Sequence, residues 1–391
     1  MKLNQAIVFC AAVTGCLPWL LAEVPSRSLS EIRPTMEAEI AAHHAAGVVT
    51  LVMKDGKIIH HASTGFADLE KKTPMTNDSL FWIASMTKSV SVTTIMTLVD
   101  EGKLSLDEPA FKWLPELEKV KLANGEAPSR PITLRDLMSH TSGIAFPPRK
   151  ASDGAHTLKS YTLELVKAPL AFEPGSNYEY GFGITVAGRI AEIVSGKYFD
   201  ALVQERIFQP LGMNDSTFHP NDLLRARIAK TYKTNDNGEG LVRANNPFVT
   251  ADSGERRMTE PSGGMFSTAS DMAKFYQTIL NGGESEGKRI VSTSAISEMT
   301  KPHVAGGKTL SYGLGWNCNP PNKVSIPGFS AKSFGHGGAY ATHGWIDPEQ
   351  KLITVFMVQN VLLNGSGTIR NAFHEKVTGV SAEKSSLTKS R

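Results

Sequence analysis

The chain has 391 residues, of which 41% are apolar and 20% are charged, and its formal net charge is +3. That length allows two or three units of typical domain size, or one large domain with an insertion. A net charge this small, without a lysine- and arginine-rich run or a basic–aromatic stripe, gives no indication of nucleic-acid binding, and no nucleic-acid partner is predicted.

The N-terminal residues have the pattern of an export signal. A lysine precedes the mostly apolar run 6–21, and the residues at the end of that run predict cleavage after residue 22. Gly15 and Pro18 interrupt the run, which is too short for a stable membrane span. Residues 1–22 are therefore predicted to be a signal peptide, and the mature protein is predicted to be periplasmic or secreted.

The three cysteines are divided between this signal and the rest of the chain. Cys10 and Cys16 lie within the signal, so only Cys318 remains after cleavage and no internal disulfide can then form. The segment Val13–Cys16 resembles a lipoprotein signal, which makes a lipid anchor at Cys16 an alternative. The apolar run continues past Cys16, which a lipoprotein signal does not need.

Neither a metal nor a cofactor is predicted. The sequence has no Cys-x-x-Cys or His-Glu-x-x-His spacing. The pairs His43-His44 and His60-His61 would point apart on a strand or a helix, which predicts solvated histidines. Gly181-Phe182-Gly183 is not followed by the third glycine of a dinucleotide fingerprint.

The first third of the chain predicts a helix, a β-hairpin and a second helix. Residues 29–46 carry apolar side chains at helical spacing. Two β-rich runs, 47–54 and 57–63, flank Asp55-Gly56, a dipeptide typical of tight hairpins. A polar loop and a short apolar segment, 80–84, follow. The run of small and apolar residues 89–99 then predicts a buried helix.

The middle of the chain is predicted to be loop-rich, with helices at three places: 134–138, within 177–195, and 271–280. Ser270 or Asp271 is predicted to cap the third of these helices. Residues 215–262 are polar and irregular, which is typical of an insertion.

The last third returns to β structure. Two strands are predicted at 340–347 and 352–360, followed by a helix at 368–378 and a tail, 381–391, of disordered composition. Strands at both ends of the chain with helices between them predict an α+β fold. Its antiparallel sheet would be formed by the N- and C-terminal segments, flanked by helices, with an inserted and mainly helical domain.

The predicted boundaries follow from this arrangement. Residues 23–380 would form the folded domain, with its sheet-containing part at about 28–95 and 285–380 and its helical insertion at about 96–284. The cleft between the two parts is the expected ligand site.

The tetrapeptide Ser85-Met86-Thr87-Lys88 begins the predicted buried helix. Residues three apart share a helix face, with Cβ atoms about 5–6 Å apart, so Lys88 can reach the Ser85 oxygen. A serine hydroxyl is a poor nucleophile until a neighbouring base takes its proton, and a neutral lysine can be that base. A serine that caps a helix, followed by a surface lysine, would give the same tetrapeptide. The rest of the sequence must therefore decide between a structural and a catalytic role.

Four further segments of the chain occur in the order typical of one family: Leu137–Gly143, Phe172–Gly181, Pro261–Met272, and Phe334–Gly338 with the strand that follows it. Together with Ser85–Lys88, they resemble the motifs of serine β-lactamase-like proteins. These include class C β-lactamases, the related DD-peptidases and carboxylesterases of the same fold. The resemblance spans roughly residues 30–360 and implies the β-lactamase/transpeptidase-like fold.

The resemblance implies three catalytic residues. Ser85 would attack the substrate carbonyl and form an acyl-enzyme, while Lys88 would help to remove its proton. Tyr180 would carry the proton to the leaving group, and a cationic Lys88 would favour the phenolate that this needs. Tyr178 is the alternative tyrosine, and the primary base, Lys88 or Tyr180, stays open.

The resemblance also implies the residues that would bind substrate. The backbone N–H groups of Ser85 and Ala339 would form the oxyanion hole. Gly337 and Gly338 would let the substrate lie against the strand edge. His336 precedes them, where the family usually has lysine.

Two positions depart from the family pattern. Phe182 replaces the asparagine of the second motif, and His336 replaces the lysine of the third. A neutral histidine is a weaker partner for a substrate carboxylate than a permanent cation. Both residues are expected to bind substrate, and together they predict an uncharged or less polar acyl ester rather than efficient cephalosporin hydrolysis.

The sequence therefore predicts an exported serine hydrolase that acts through an acyl-enzyme, a carboxylesterase of the β-lactamase fold with a small-molecule ester as substrate. One alternative is a DD-peptidase or weak β-lactamase acting on peptides or β-lactams. Another is a non-catalytic module that binds peptidoglycan peptides. Ser142 is a weaker candidate nucleophile because no lysine follows it three residues on, and the chain has no Gly-x-Ser-x-Gly motif.

Overall fold

The computed structural model describes most of the chain outside its termini: residues 29–144, 157–235, 237, 239–246, 258–303, 311–321, 323–361 and 366–380. The predicted signal, with Cys10 and Cys16, and the predicted tail 381–391 lie outside the described residues.

Ten α-helices are present in the described part of the chain: α1 (Ile32–Ala41), α2 (Thr87–Asp100), α3 (Leu134–Met138), α4 (Leu158–Leu165), α5 (Gly183–Ser195), α6 (Phe199–Val203), α7 (Asp222–Arg225), α8 (Ala269–Leu280), α9 (Thr293–Thr300) and α10 (Ser366–Thr378).

The described strands are β1 (Gly47–Lys54), β2 (Lys57–Asp68), β3 (Thr73–Pro74), β4 (Phe81–Trp82), β5 (Tyr232–Thr234), β6 (Leu241–Arg243), β7 (Phe266–Ser267), β8 (Glu284–Ser285), β9 (Lys288–Arg289), β10 (Ser311–Tyr312), β11 (Asn317–Cys318), β12 (Phe334–Gly337), β13 (His343–Asp347) and β14 (Leu352–Met357).

Eight of these strands form one antiparallel sheet in the order β10-β11-β12-β13-β14-β1-β2-β3. The predicted hairpin is present, and its two turn residues, Asp55 and Gly56, have φ of 49° and 76°, as a tight hairpin turn of this kind requires. Because β1 pairs with β14, the N-terminal hairpin and the C-terminal strands share one sheet. This arrangement confirms the predicted α+β class.

Side chains of β1 alternate between the two faces of the sheet, as the two-residue period of a strand requires. Val48 and Val52 belong to the apolar cluster formed with α1 and α10. Val49 and Leu51 belong to the larger core on the opposite face, to which α2 and α8 contribute. The sheet thus has helices on both faces.

Helix α2 is buried along most of its length although it carries six serine and threonine side chains. Five of these hydroxyls donate to backbone carbonyls and the sixth, Thr87 Oγ1, accepts from Met265 N at 3.2 Å, since an unpaired buried hydroxyl would be costly. Ser89 Oγ donates to Gly315 O at 2.9 Å, and Ser91 Oγ donates to Pro261 O at 2.7 Å. These bonds hold two distant loops against the helix that begins beside Ser85.

Two local predictions are wrong. Helix α8 is capped by Thr268, whose hydroxyl accepts a hydrogen bond from Asp271 N, rather than by Ser270 or Asp271. His60 is half-buried rather than solvated, with Nε2 2.8 Å from Thr50 Oγ1 on the neighbouring strand. Burial, together with the charge of His61, lowers the pKa of His60 to about 4.

The predicted division into a sheet-containing part and a helical insertion at 96–284 stays a prediction. Among the residues that the structure describes, no helix combines the length and the apolar character that crossing a membrane requires. The same residues contain no group of three or more histidine, cysteine, aspartate or glutamate side chains placed to hold a metal ion.

Candidate active site

Ser85 lies in a short 3₁₀ turn, Ala84–Met86, that leads directly into α2. The preceding residue, Ala84, has φ of +46°, a left-handed conformation that costs a non-glycine residue about 1–2 kcal/mol. Ile83 fixes this strained turn, since its N–H donates to Met265 O at 3.0 Å and its carbonyl accepts from Thr342 Oγ1 at 3.2 Å. The turn therefore presents a half-buried Ser85 on a rigid support.

The Lys88 ammonium lies beside the serine, as the three-residue spacing predicts. Its Nζ is 3.3 Å from Ser85 Oγ and donates to Ser262 O at 2.6 Å. Lys88 is 3% exposed, so its amine has little contact with solvent. The bond from Ser91 to Pro261 O holds the segment that supplies the Ser262 carbonyl.

The Tyr180 ring lies on the other side of the lysine, with its centroid 4.7 Å from Lys88 Nζ. Its centroid is also 4.4 Å from that of His140, whose Nδ1 accepts a hydrogen bond from Gly181 N at 3.2 Å. A neutral His140 therefore carries its proton on Nε2. Tyr178 lies further out, 6.1 Å from the His140 ring, and burial raises its pKa.

His336 points from β12 toward the same group of aromatic rings. Its Nδ1 is 2.7 Å from Gly337 O, a carbonyl that can only accept, so Nδ1 carries the proton. Its Nε2, 3.1 Å from the Tyr312 hydroxyl, is then an acceptor. Burial and the charge of Lys88 lower the pKa of His336 to about 3, so the ring is neutral at physiological pH.

The end of β12 lies directly against the serine turn. A Cβ on Gly338 would be 2.5 Å from Ile83 O, so the strand end fits here only without a side chain. Ala339, the predicted second oxyanion donor, follows this contact and is exposed. The structure thus brings Ser85, Lys88 and Tyr180 together beside the segment that carries His336, Gly337 and Gly338.

Phe182 has a different setting from the other predicted residues. It is the N-terminal flanking residue of α5 and packs edge-on against Tyr161, with ring centroids 5.8 Å apart. It is half-buried against the main core. Its contact with substrate stays a prediction.

The sequence assigned no role to a buried carboxylate behind the lysine. Glu260 accepts hydrogen bonds from Thr185 Oγ1 at 2.6 Å and from Ser262 N at 2.8 Å. Burial raises the pKa of Glu260, although the hydrogen bonds from Thr185 and Ser262 and the charge of Lys88 oppose that effect. The carboxylate orients Ser262, whose carbonyl accepts from Lys88. The position of Glu260 directly before the family segment Pro261–Met272 was the sequence signal that could have identified it.

Ser142, the weaker candidate nucleophile, is buried, and its hydroxyl accepts a hydrogen bond from Ile144 N at 3.3 Å. That bond is typical of a serine that stabilises a turn.

Comparison with known proteins identifies the family of this chain. The sequence model of the Beta-lactamase family matches residues 32–378. Esterase EstB of Burkholderia gladioli is 35% identical over 187 residues, which are 44% of this chain and 47% of EstB. The Escherichia coli (strain K12) protein named "Putative D-alanyl-D-alanine carboxypeptidase" is 30% identical over 348 residues, which are 79% of this chain and 77% of that protein.

A solved structure extends the comparison to the fold. The structure of EstCE1, described as a hydrolase with promiscuous acyltransferase activity, aligns with a TM-score of 0.79 at 23% identity, covering 91% of this chain and 100% of EstCE1. The chain therefore belongs to the Beta-lactamase family and has the fold of the β-lactamase-like and penicillin-binding proteins. Its matched relatives are named as esterases and DD-carboxypeptidases.

Proposed function

We propose that this protein is an exported carboxylesterase that cleaves small, uncharged acyl esters through an acyl-enzyme on Ser85. The observation that carries the proposal is the cluster of Ser85 Oγ, Lys88 Nζ and the Tyr180 ring, with the neutral His336 beside it. Covalent catalysis needs a nucleophile and a base within reach of each other, and it needs further groups that hold the base in place.

In the proposed reaction, Ser85 Oγ attacks the ester carbonyl carbon while its proton passes to Lys88 or Tyr180. The tetrahedral intermediate collapses, the C–O bond to the alcohol breaks, and the proton moves to the leaving alkoxide. Water then attacks the acyl-enzyme, loses a proton to the same base, and releases the carboxylic acid and free Ser85. The N–H groups of Ser85 and Ala339 are the proposed donors to the oxyanion.

The state of His336 supports an ester without a carboxylate beside the scissile bond. Its Nδ1 proton is engaged by Gly337 O and its Nε2 by the Tyr312 hydroxyl, so the ring offers no charge and no free N–H to an anionic substrate. Substrates of DD-peptidases and β-lactamases carry such a carboxylate, which a permanent cation binds better.

A DD-peptidase or weak β-lactamase is the second candidate. It is supported by the 30% identity with the E. coli protein named as a D-alanyl-D-alanine carboxypeptidase over 79% of this chain. A module that binds peptidoglycan peptides without turnover is less well supported because Ser85, Lys88 and Tyr180 are all present and adjacent.

A substrate panel separates these candidates. Turnover of p-nitrophenyl acetate and butyrate should exceed turnover of nitrocefin and of a peptide ending in D-Ala-D-Ala. Efficient nitrocefin or peptide hydrolysis would overturn the role given to His336 and Phe182. Binding of the peptide without turnover of any substrate would favour the non-catalytic module.

Two variants test the proposed machinery. Ser85→Ala should abolish ester turnover, and activity that survives this change would remove Ser85 as the nucleophile. Lys88→Ala should lower the acylation rate by several orders of magnitude, on the scale of removing one member of a catalytic group. Circular dichroism of each variant tests whether it is folded.

The neighbouring tyrosines provide a matched pair. Tyr180→Phe should reduce kcat by about 10²–10⁴-fold, the usual contribution of a positioned proton carrier. Tyr178→Phe, two residues away and further from Lys88, should change kcat much less. The reverse order would assign the proton transfer to Tyr178.

Export is part of the proposal and rests on the N-terminal sequence pattern alone. Mass spectrometry of the mature protein tests it. A chain that begins at Glu23 supports cleavage of residues 1–22, and an acylated Cys16 at the N-terminus supports the lipid anchor. A chain that retains Met1 or residues 2–22 in full contradicts both.

A further inference from the structure

Tyr180 lies in a segment of the chain that belongs to no helix or strand. Residues 177–180 have no regular secondary structure, and α5 begins only at Gly183. The ring must nevertheless keep a defined place beside Lys88, since a group that acts in catalysis loses much of its effect when it moves by about 1 Å. Another part of the molecule therefore has to hold this segment.

His140 holds the segment on both sides of Tyr180. Its backbone carbonyl accepts a hydrogen bond from Glu179 N at 3.0 Å, and its side chain accepts one at Nδ1 from Gly181 N at 3.2 Å. Between these two bonds the imidazole packs on the tyrosine ring, with centroids 4.4 Å apart and ring planes inclined at 41°. One residue thus contacts three consecutive residues, 179–181.

The place of His140 is itself fixed. Directly after it, Thr141 N donates to Asp136 O at 3.0 Å, which ties the chain to α3. The Tyr312 ring also packs on the imidazole, with centroids 4.7 Å apart. His140 is 2% exposed, so its ring has little room to turn.

Two unfavourable features are concentrated at His140. Its φ is +61°, in the left-handed region that a residue with a side chain seldom adopts. Its buried Nε2, which carries the proton when Nδ1 accepts, has no acceptor among the described residues. Backbone strain and unpaired buried polar atoms are typical of functional sites, where the surrounding structure enforces them. A residue that only filled space would need neither.

The bond from Gly181 N requires an unprotonated Nδ1. Burial, which is the largest cause, and the charge of the nearby Lys88 hold the pKa of His140 well below its ordinary value. The uncharged ring that can accept this bond is therefore the favoured form.

We propose that His140 is the positioning residue for Tyr180: it holds the backbone at residues 179 and 181 and thereby places the phenol beside Lys88. This inference rests on the proposed function, in which Tyr180 is the candidate proton carrier. His140 acts through the tyrosine and gives up no proton of its own. It extends the support of the active site to α3, on the side of Tyr180 opposite to the serine turn's own helix in the chain order.

Asparagine and glycine are a matched pair at this position. Both tolerate a left-handed backbone, and only asparagine supplies an acceptor, Oδ1, at the same number of bonds from the backbone as Nδ1. His140→Gly should lower kcat for p-nitrophenyl butyrate by about 10²-fold and change KM by less than about threefold, because the tyrosine moves. His140→Asn should lose less than about tenfold in kcat. Equal losses in the two variants would overturn the role of the bond to Gly181.

Tyr180→Phe separates positioning from a general structural effect. Adding His140→Gly to Tyr180→Phe should lower kcat by less than about a further threefold, because the group that His140 positions is already lost. A further loss of about 10²-fold would show that His140 acts independently of Tyr180 and would overturn the proposal. His44→Asn changes a histidine whose Nδ1 lies 2.6 Å from a Glu39 oxygen, and it should leave kcat unchanged.

Crystal structures of the two variants test the position of Tyr180 without a substrate. The ring centroid lies 4.7 Å from Lys88 Nζ in the wild type, and it should move away in His140→Gly and stay in place in His140→Asn. If the wild type turns over no ester, the esterase proposal fails, while this comparison still decides the role of His140. A Tyr180 ring that keeps its place in His140→Gly would overturn that role. If His140→Gly does not fold, His140→Leu replaces it, since leucine fills the space without an acceptor.

Discussion

Replacing Gly338 with alanine should damage the site by moving the serine turn. The new Cβ would lie 2.1 Å from Thr342 Oγ1 and 2.5 Å from Ile83 O. The threonine side chain can rotate away only by giving up its hydrogen bond to Ile83 O, and the Ile83 carbonyl belongs to the backbone that leads into Ala84 and Ser85. Contacts below 3.0 Å essentially never occur, so Ile83 O and the strand must separate by at least 3.0 minus 2.5, or 0.5 Å.

The expected cost of this separation is large for catalysis and moderate for stability. Misplacement of a catalytic group by about 1 Å, or loss of one oxyanion donor, costs about 10²–10³-fold in kcat. Gly338→Ala should therefore lower kcat for p-nitrophenyl butyrate by about 10²-fold. Overpacking of this size costs about 1–3 kcal/mol of unfolding free energy, which urea titration followed by circular dichroism measures.

The adjacent glycine is a matched control. A Cβ on Gly337 would meet only His343 Cδ2 at 3.5 Å and Thr342 O at 3.7 Å, which are ordinary contacts. Gly337→Ala should therefore lose less than about tenfold in kcat, well below the loss in Gly338→Ala. Equal losses in the two variants, or normal turnover by Gly338→Ala, would refute the argument that the Ile83 contact positions Ser85.

Two further substitutions test the groups that support the site. Glu260→Ala removes the acceptor of the Ser262 N–H and of the Thr185 hydroxyl, so the Ser262 carbonyl that accepts from Lys88 should move and kcat for p-nitrophenyl butyrate should fall by about tenfold or more; an unchanged kcat would separate Glu260 from the position of the lysine. Asp136→Asn should cost about 3 kcal/mol of unfolding free energy, the low end for a broken buried pair, because Arg130 is 43% exposed. Burial opposes ionisation of Asp136, but hydrogen bonds from Arg130 and Thr133 lower its pKa. The stabilisation that ionised Asp136 contributes is therefore fully present above its unfolded pKa of about 3.9 and is lost as the pH falls through its lower folded pKa. Urea titrations at several pH values should show this loss in the wild type and not in Asp136→Asn.

The sequence predicted the elements whose signals are local. Asp55-Gly56 between two β-rich runs and Ser85-x-x-Lys88 at the start of an apolar run are each contained in a few residues, and both structures are present. The prediction of the helix cap was wrong because Thr268, Ser270 and Asp271 all have suitable side chains. Only the hydrogen bonds to the backbone distinguish them.

Contacts between distant segments could not be predicted in the same way. The hydrogen bond from Tyr312 to His336 joins two strands that are separated by β11, and no sequence pattern connects them. Glu260 lies 172 positions after Lys88, and its relation to the lysine depends on the fold of the loop held by Ser91.

Burial, with a smaller contribution from Lys88, disfavours the charged forms of the imidazoles around the lysine. Burial, together with the positive charge of Lys88, lowers the pKa of His336 to about 3 and lowers that of His140 well below its ordinary value. His336 is therefore neutral between pH 5 and 8 and cannot act as a cationic acid there, and burial also disfavours the charged form of His140. In the proposed reaction, the proton that leaves Ser85 would therefore pass to Lys88 or Tyr180.

The neutral state of His336 predicts the pH profile of the reaction. Between pH 5 and 8, kcat/KM for p-nitrophenyl butyrate should show no ionisation that belongs to His336. His336→Gln should lower the rate by disturbing the Tyr312 contact but should leave the shape of the profile unchanged. A limb of the wild-type profile near the ordinary histidine pKa of about 6.5, if it disappears in His336→Gln, would show that His336 titrates during catalysis. His336 would then bear a charge, and an anionic substrate would again fit the site.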